Sequence, residues 1–335
     1  MKTTHILPMP LSDRWLIGLA CLVFVALALL PLVASALVVD KLTLLFILIM
    51  FAVMWNLLAG YAGLVSVGQQ AFVGLGGYAM IRLVEAGLPP FPAIFMGAAL
   101  TGLAAWVLSW FVLRMKVGEF AIATWVIAEA IRAVVSFDPL IQGETGTSLV
   151  ALNAYAPEIR RLTVYLLALA SMGVMIWGTW RLLHGRIGAQ SQAIRDDEGA
   201  AASVGISTFQ VKQRIYIIAS VGCALAGALW LASAITFQPR TAFGVQWSVF
   251  MLFMVLVGGL GTFIGPILGA LLFFALQEIF GDFGAWYLAG IGIVAIVFAL
   301  YLPRGLVGLW LDRGCDEPLS MRKRLGLAPG QTPRA

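Results

Sequence analysis

Residues 55–79 read WNLLAGYAGLVSVGQQAFVGLGGYA. The stretch lies among long apolar runs, yet it holds Gly60, Gly63, Gly68, Gly74, Gly76 and Gly77, with Asn56, Ser66, Gln69 and Gln70 between them. It carries no charge. In a bilayer, irregular or polar backbone persists only where protein or a water-filled cavity surrounds it. The stretch therefore belongs inside a helix bundle, as pathway lining or as a hinge, and not against lipid. As a helix from Gly63 onward, it would put Ser66, Gln69 and Gln70 on one face, at i, i+3 and i+4. Those uncharged groups suit passage of a neutral or zwitterionic solute. Hydrogen bonding between helices is the equally available reading, because small and polar residues supply it in membranes.

The composition agrees. Of 335 residues, 61% are hydrophobic and 11% charged. Mean hydropathy is +0.97. A soluble domain carries about 25% charged residues. The expected fold is an all-α polytopic membrane protein. Runs of about 20 apolar residues mark spans. They predict about ten transmembrane helices, near 15–38, 42–59, 63–83, 91–113, 118–137, 160–182, 214–236, 246–260, 263–280 and 285–301. The apolar run from Trp15 to Val33 is too long for a signal-peptide core of ~7–15 residues, so it reads as an uncleaved first helix.

The net charge of +5 is explained by where the charges lie, not by nucleic acid. With the N-terminus inside and ten crossings, 15 of the Lys and Arg residues fall on the inner side and 6 on the outer. The outer six are Lys41, Arg82, Arg132, Arg160, Arg161 and Arg240. That asymmetry fits the excess of basic residues in cytoplasmic loops. It predicts a cytoplasmic N-terminus over 1–14, a transmembrane domain over 15–301 and a cytoplasmic tail over 302–335. An inner loop spans 183–213 and an outer loop 138–159.

Two charged constellations stand out. The inner loop contains AIRDDEGAAASVGIS at 193–207. Asp196, Asp197 and Glu198 at the start of a short alanine-rich helix complement its dipole, and Gly205 would end it. A helix with so little core of its own is either a plain solvated element or a docking site for a cytoplasmic partner. Within the fifth span, Glu129 and Arg132 lie at i and i+3, within reach of each other. They form either a structural ion pair or an outer gate. Catalytic motifs are lacking. The chain has no GxxxxGK[ST] phosphate loop, and His5 and His184 stand apart, so no metal site is expected.

Four segments in order, GYAGLVSVGQQAFVGLGGYA (60–79), AIRDDEGAAASVGI (193–206), VLVGGLGTFIGPILGA (255–270) and LPRGLVGLW (302–310), resemble the LivM-type permease. That family forms the inner-membrane subunit of bacterial ABC importers for branched-chain amino acids. The resemblance implies a non-enzymatic permease with no cofactor of its own. It implies a homologous second permease, two ATPase subunits carrying ATP and Mg, and a periplasmic substrate-binding protein. Arg195, Asp196, Asp197, Glu198 and Gly205 then belong to a coupling helix that sits against an ATPase. Two departures are visible. The coupling loops of such importers often carry E-A-A-x-x-x-G, whereas Glu198 is followed by Gly199 and Gly205 lies seven residues on. The outer loop has Glu144 where the family's TGGxxGL pattern has its second glycine. These leave a urea or amide permease of the same family as an alternative substrate class. An ion-coupled carrier working alone through Glu129 is the alternative from a different class.

Overall fold

The structure, a computed structural model, describes residues 11–302 and 304–312. Residues 1–10 of the expected N-terminal segment, and residues 303 and 313–335 of the expected tail, lie outside the described residues. The helices are α1 (Leu11–Leu29), α2 (Ala36–Asn56), α3 (Gln70–Glu85), α4 (Pro90–Val112), α5 (Val117–Ser136) and α6 (Pro157–Leu183). They continue with α7 (Arg186–Asp196), α8 (Glu198–Ser203), α9 (Thr208–Ala234), α10 (Pro239–Ala242), α11 (Gln246–Gly258), α12 (Gly265–Phe280), α13 (Ala285–Tyr301) and α14 (Gly305–Asp312). A π-helical turn, Leu57–Tyr61, extends α2. Two short strands, β1 (Thr147–Ser148) and β2 (Thr236–Phe237), pair antiparallel.

Among the described residues, six helical stretches are long and apolar enough to cross a membrane. They are Ala36–Tyr61, Pro90–Val112, Pro157–Leu183, Thr208–Ala234, Pro239–Gly258 and Ala289–Leu309. Six of the ten expected spans fall on them. The spans expected at 15–38 and 263–280 meet shorter apolar helices, Gly18–Leu32 and Gly265–Phe280. The one at 118–137 is α5, which is 20 residues long but carries Glu119, Glu129 and Arg132. The stretch 63–83 departs most from expectation. Residues 63–69 are not helical, and α3 starts only at Gln70.

Packing follows from which faces are small. The α2 stretch is apolar on every side, and such a helix must be buried all round. Indeed 89% of its most apolar window is buried. It is surrounded by α6, α9, α11 and α12. A second cluster joins α3, α4 and α9. There α4 turns inward Ala93, Gly97, Thr101, Ala105 and Ser109, spaced four apart, and turns outward Phe95, Leu103, Trp106, Trp110 and Phe111. Small residues let membrane helices approach closely, and the bulky outer stripe stays exposed on the bundle surface. α1 leans on α6, where the Tyr165 hydroxyl donates to the Leu27 carbonyl at 2.7 Å.

Charged contacts separate the two ends of the bundle. At one end Arg161 pairs with Asp40 at 2.9 Å, Arg82 with Asp138 at 2.8 Å, and Lys41 with Glu278. The long 138–159 loop and the β1–β2 pair lie at this end. At the other end Lys212 pairs with Glu198 at 2.6 Å, close to α7 and α8.

Candidate functional site

The glycine-rich stretch, the loop over 183–213 and the turn between α11 and α12 meet at one point. Asn56 is buried at the end of α2. Its amide nitrogen donates to the Thr262 carbonyl at 2.9 Å, and its amide oxygen accepts from the Gly261 N–H at 2.9 Å. One turn later Gly60 lies against Gly261 so closely that a Cβ would come within 2.6 Å of the Gly261 nitrogen. Arg195, near the end of α7, closes the junction. Its Nη1 donates to the Gly60 carbonyl at 2.9 Å, while Nε and Nη2 hold Asp196 at 3.0 and 2.9 Å.

The chemistry of the break explains that bond. The π-helical turn and the non-helical stretch after it remove the next turn's N–H groups from the carbonyls of α2. A buried carbonyl without a partner is costly. Arg195 supplies a charged donor to one of them. Gly63 follows at φ +70°, a conformation open to glycine and strained for other residues, and it turns the chain out of the helix. The Trp55 indole N–H then donates to the Ser66 carbonyl at 3.0 Å, tying the extended stretch back onto α2.

The loop forms two helices, α7, which carries Arg195, and α8 beyond it. Asp197 caps α8 by accepting from the Ala200 N–H at 2.9 Å. Gly205, at φ +86°, ends it. Only Ala201 of α8 is buried, and the adjoining Val204 is 77% exposed. The short helix thus projects from the bundle with an apolar side chain beside it, held at its base by the pairing of Lys212 with Glu198.

The expectation that Ser66, Gln69 and Gln70 share a helix face is corrected, because Ser66 lies in the extended stretch. Its hydroxyl instead accepts from the Gly68 N–H at 3.2 Å. Gln69 and Gln70 stand at the start of α3 with no exposed surface. The Ser248 hydroxyl of α11 donates to Gln70 Oε1. Among the described residues, both amide atoms of Gln69 and the Gln70 nitrogen have no hydrogen-bond partner. Farther along α3, Gly76 packs directly on the Ala224 backbone of α9, whereas Gly77 faces only the side chains of Phe237 and Leu231.

Glu129 and Arg132 do pair, with Arg132 Nε donating to Glu129 at 2.9 Å. A second carboxylate, Glu144 of the long loop, takes Arg132 Nη1. These groups edge an open cleft of about 900 Å³. Nearby, the Asp138 carboxyl accepts from the Tyr78 hydroxyl at 2.6 Å and from the Leu140 N–H at 3.0 Å. Burial there favours the neutral acid, but the bonds from Tyr78, Leu140 and Arg82 outweigh it and hold Asp138 below the usual carboxylate range.

Residues 37–302 match the family described as branched-chain amino acid transport system / permease component. The chain belongs to this permease family. The high-affinity branched-chain amino acid permease protein LivM of Escherichia coli K12 is 26% identical over 305 residues, covering 83% of this chain and 71% of the relative. LivM of Salmonella typhimurium LT2 is 25% identical over the same coverage. The fructose import permease protein FruG of Bifidobacterium longum is 24% identical over 266 residues, or 74% of this chain and 76% of its own. No solved structure matches the chain.

For this permease, several contributors at the site escaped sequence reasoning. Gly261 and Thr262 lie 205 and 206 residues from Asn56. They sit in a segment that carried the family resemblance, but nothing local links them to Asn56. Ser248 and Lys212 were equally silent. The signal for Glu144 was present as a departure from a glycine pattern, but its partner Arg132 lies across a turn.

Proposed function

We propose that the chain is the permease subunit of an ATP-driven ABC importer that moves branched-chain or similar hydrophobic amino acids across the bacterial inner membrane. Its ten helical stretches cross the membrane, with both termini in the cytoplasm. α8 is the coupling helix, and Arg195, Asp196, Asp197, Glu198 and Gly205 hold and shape it. Two ATPase subunits dock there and carry the ATP and Mg. A homologous second permease completes the pathway, and a periplasmic binding protein delivers substrate to the end bearing the 138–159 loop.

The observation that carries this reading is the bond from Arg195 to the Gly60 carbonyl. It links α7, the helix that leads directly into the docking helix, to the broken end of the central helix. A push on α8 therefore moves the Gly60–Gly63 break and the turn at Gly261 together. Asn56, Gly60, Gly63, Ser66, Gln69, Gln70, Gly76 and Gly77 form the pathway and hinge, and Glu129 with Arg132 forms part of the outer gate. The names of the two LivM relatives support the substrate class.

Glu144 in place of a family glycine keeps a urea or amide substrate as the second reading. The test is co-purification of the permease with its companion chains, followed by radiolabelled uptake in proteoliposomes. ATP-dependent leucine uptake that tolerates collapse of the proton gradient is expected. Uptake that follows a proton gradient without ATP would overturn the reading in favour of a carrier driven through Glu129.

A further inference from the structure

The cleft beside the gate pair has chemistry that coupling alone does not require. Its lining divides into two kinds. Glu129, Arg132, Glu144 and Arg240 are charged, and Val249, Phe250 and Ile291 are apolar. The charged set sums to zero, so a bare cation or anion gains little net attraction. Arg132 is engaged by both carboxylates. Arg240, at the end of α10, is exposed and has no hydrogen-bond or ion-pair partner among the described residues. Each carboxylate keeps an oxygen that Arg132 does not use. The cleft thus offers a free guanidinium, free carboxylate oxygens and an apolar wall together. Its volume of about 900 Å³ lies within the usual range for small-molecule sites.

We propose that this cleft is an outer loading site for a zwitterionic α-amino acid with an apolar side chain. Arg240 takes the carboxylate, Glu144 and Glu129 take the ammonium, and Val249, Phe250 and Ile291 take the side chain. The proposal rests on the importer reading and adds to it a substrate contact on the permease itself. It also gives Glu144 a purpose, since a glycine there would leave the charged set with a net positive charge and the cleft without one of its two ammonium acceptors.

The test uses the assembled transporter in proteoliposomes with Val245→Cys as a reporter, because Val245 lines the cleft and is 42% exposed. Labelling by a cationic, membrane-impermeant thiol reagent is followed with and without leucine. Leucine is expected to slow labelling several-fold. Leucinamide, which lacks the carboxylate, and isocaproate, which lacks the ammonium, are expected not to. Arg240→Gln should raise the leucine concentration for half-protection about tenfold, as expected for loss of one charge-assisted bond. Arg240→Lys should restore most of it, which separates charge recognition from misfolding. Three results overturn the proposal while leaving the importer reading intact, provided the assembly still imports leucine. They are no protection by leucine, equal protection by all three compounds, and a Val245→Cys assembly whose reporter thiol stays unlabelled because a second subunit covers it. An unaltered assembly that imports no amino acid overturns both.

Discussion

Arg195 and Gly60 are 135 residues apart in the chain and joined by a hydrogen bond of 2.9 Å. The donor is a charged side chain and the acceptor is a backbone carbonyl at the broken end of the central helix. Replacing Arg195 with alanine is expected to lower ATP-driven uptake about tenfold, the scale of one lost charge-assisted bond. Lysine should rescue poorly, because it lacks the fork that holds Gly60 and Asp196 at once. ATP hydrolysis measured on the same preparation should persist. Parallel loss of hydrolysis and uptake would instead mean that Arg195 matters only for assembly.

Asn56 bridges a donor and an acceptor on the α11–α12 turn. Asn56→Ala leaves both unpaired, the Thr262 carbonyl buried and the Gly261 N–H half-buried, at a cost of about 1–3 kcal/mol. Asn56→Asp keeps the acceptor for Gly261 but loses the donor to Thr262. Thermal unfolding in detergent should show both variants destabilised. An unchanged melting temperature for Asn56→Ala would contradict the bridge.

The two adjacent glycines of α3 should behave differently. At Gly76 a methyl group overlaps the Ala224 backbone, which cannot step aside. Gly76→Ala is therefore expected to cost about 1–3 kcal/mol, as overpacking does, and to impair uptake. At Gly77 a methyl meets side-chain atoms at 3.3 and 3.4 Å, and these can rotate. Gly77→Ala should melt closer to the parent and lose less uptake than Gly76→Ala. Equal effects would refute this packing.

Gln69 gives a prediction of opposite sign. Its amide is buried without a partner, a penalty of about 1–3 kcal/mol that this conformation carries. Gln69→Met removes the polar atoms at similar volume. It should raise thermal stability and reduce uptake, if the amide finds its partner only when the pathway opens. A variant that is both more stable and fully active would show that Gln69 has no transport role.

Asp138 sets a pH dependence at the far end. Its folded carboxyl is lowered, so its contribution to stability is fully present above the ordinary value of about 3.9. The contribution is lost as pH falls through the lower folded value. Melting temperature should therefore drop at acid pH in the parent, and drop less in Asp138→Asn. Identical acid profiles would remove Asp138 from the account.

The sequence alone determined the class of protein and much of its layout. Long apolar runs must be buried or face lipid, so the helices are local properties of the chain. The glycine-rich stretch was legible as protein-lined for the same reason, and the loop helix at 198–203 was legible from its acidic start and terminal glycine. Tertiary structure alone decided what those pieces touch. Ser66 left the expected helix because Gly63 turns the chain and Trp55 captures the Ser66 carbonyl. Arg195 found Gly60, Asn56 found Gly261 and Thr262, and Arg132 gained Glu144. Each of these contacts spans separate elements, and no periodicity encodes which broken carbonyl a distant guanidinium will reach. That is settled only when the helices pack and every buried polar group must find a partner.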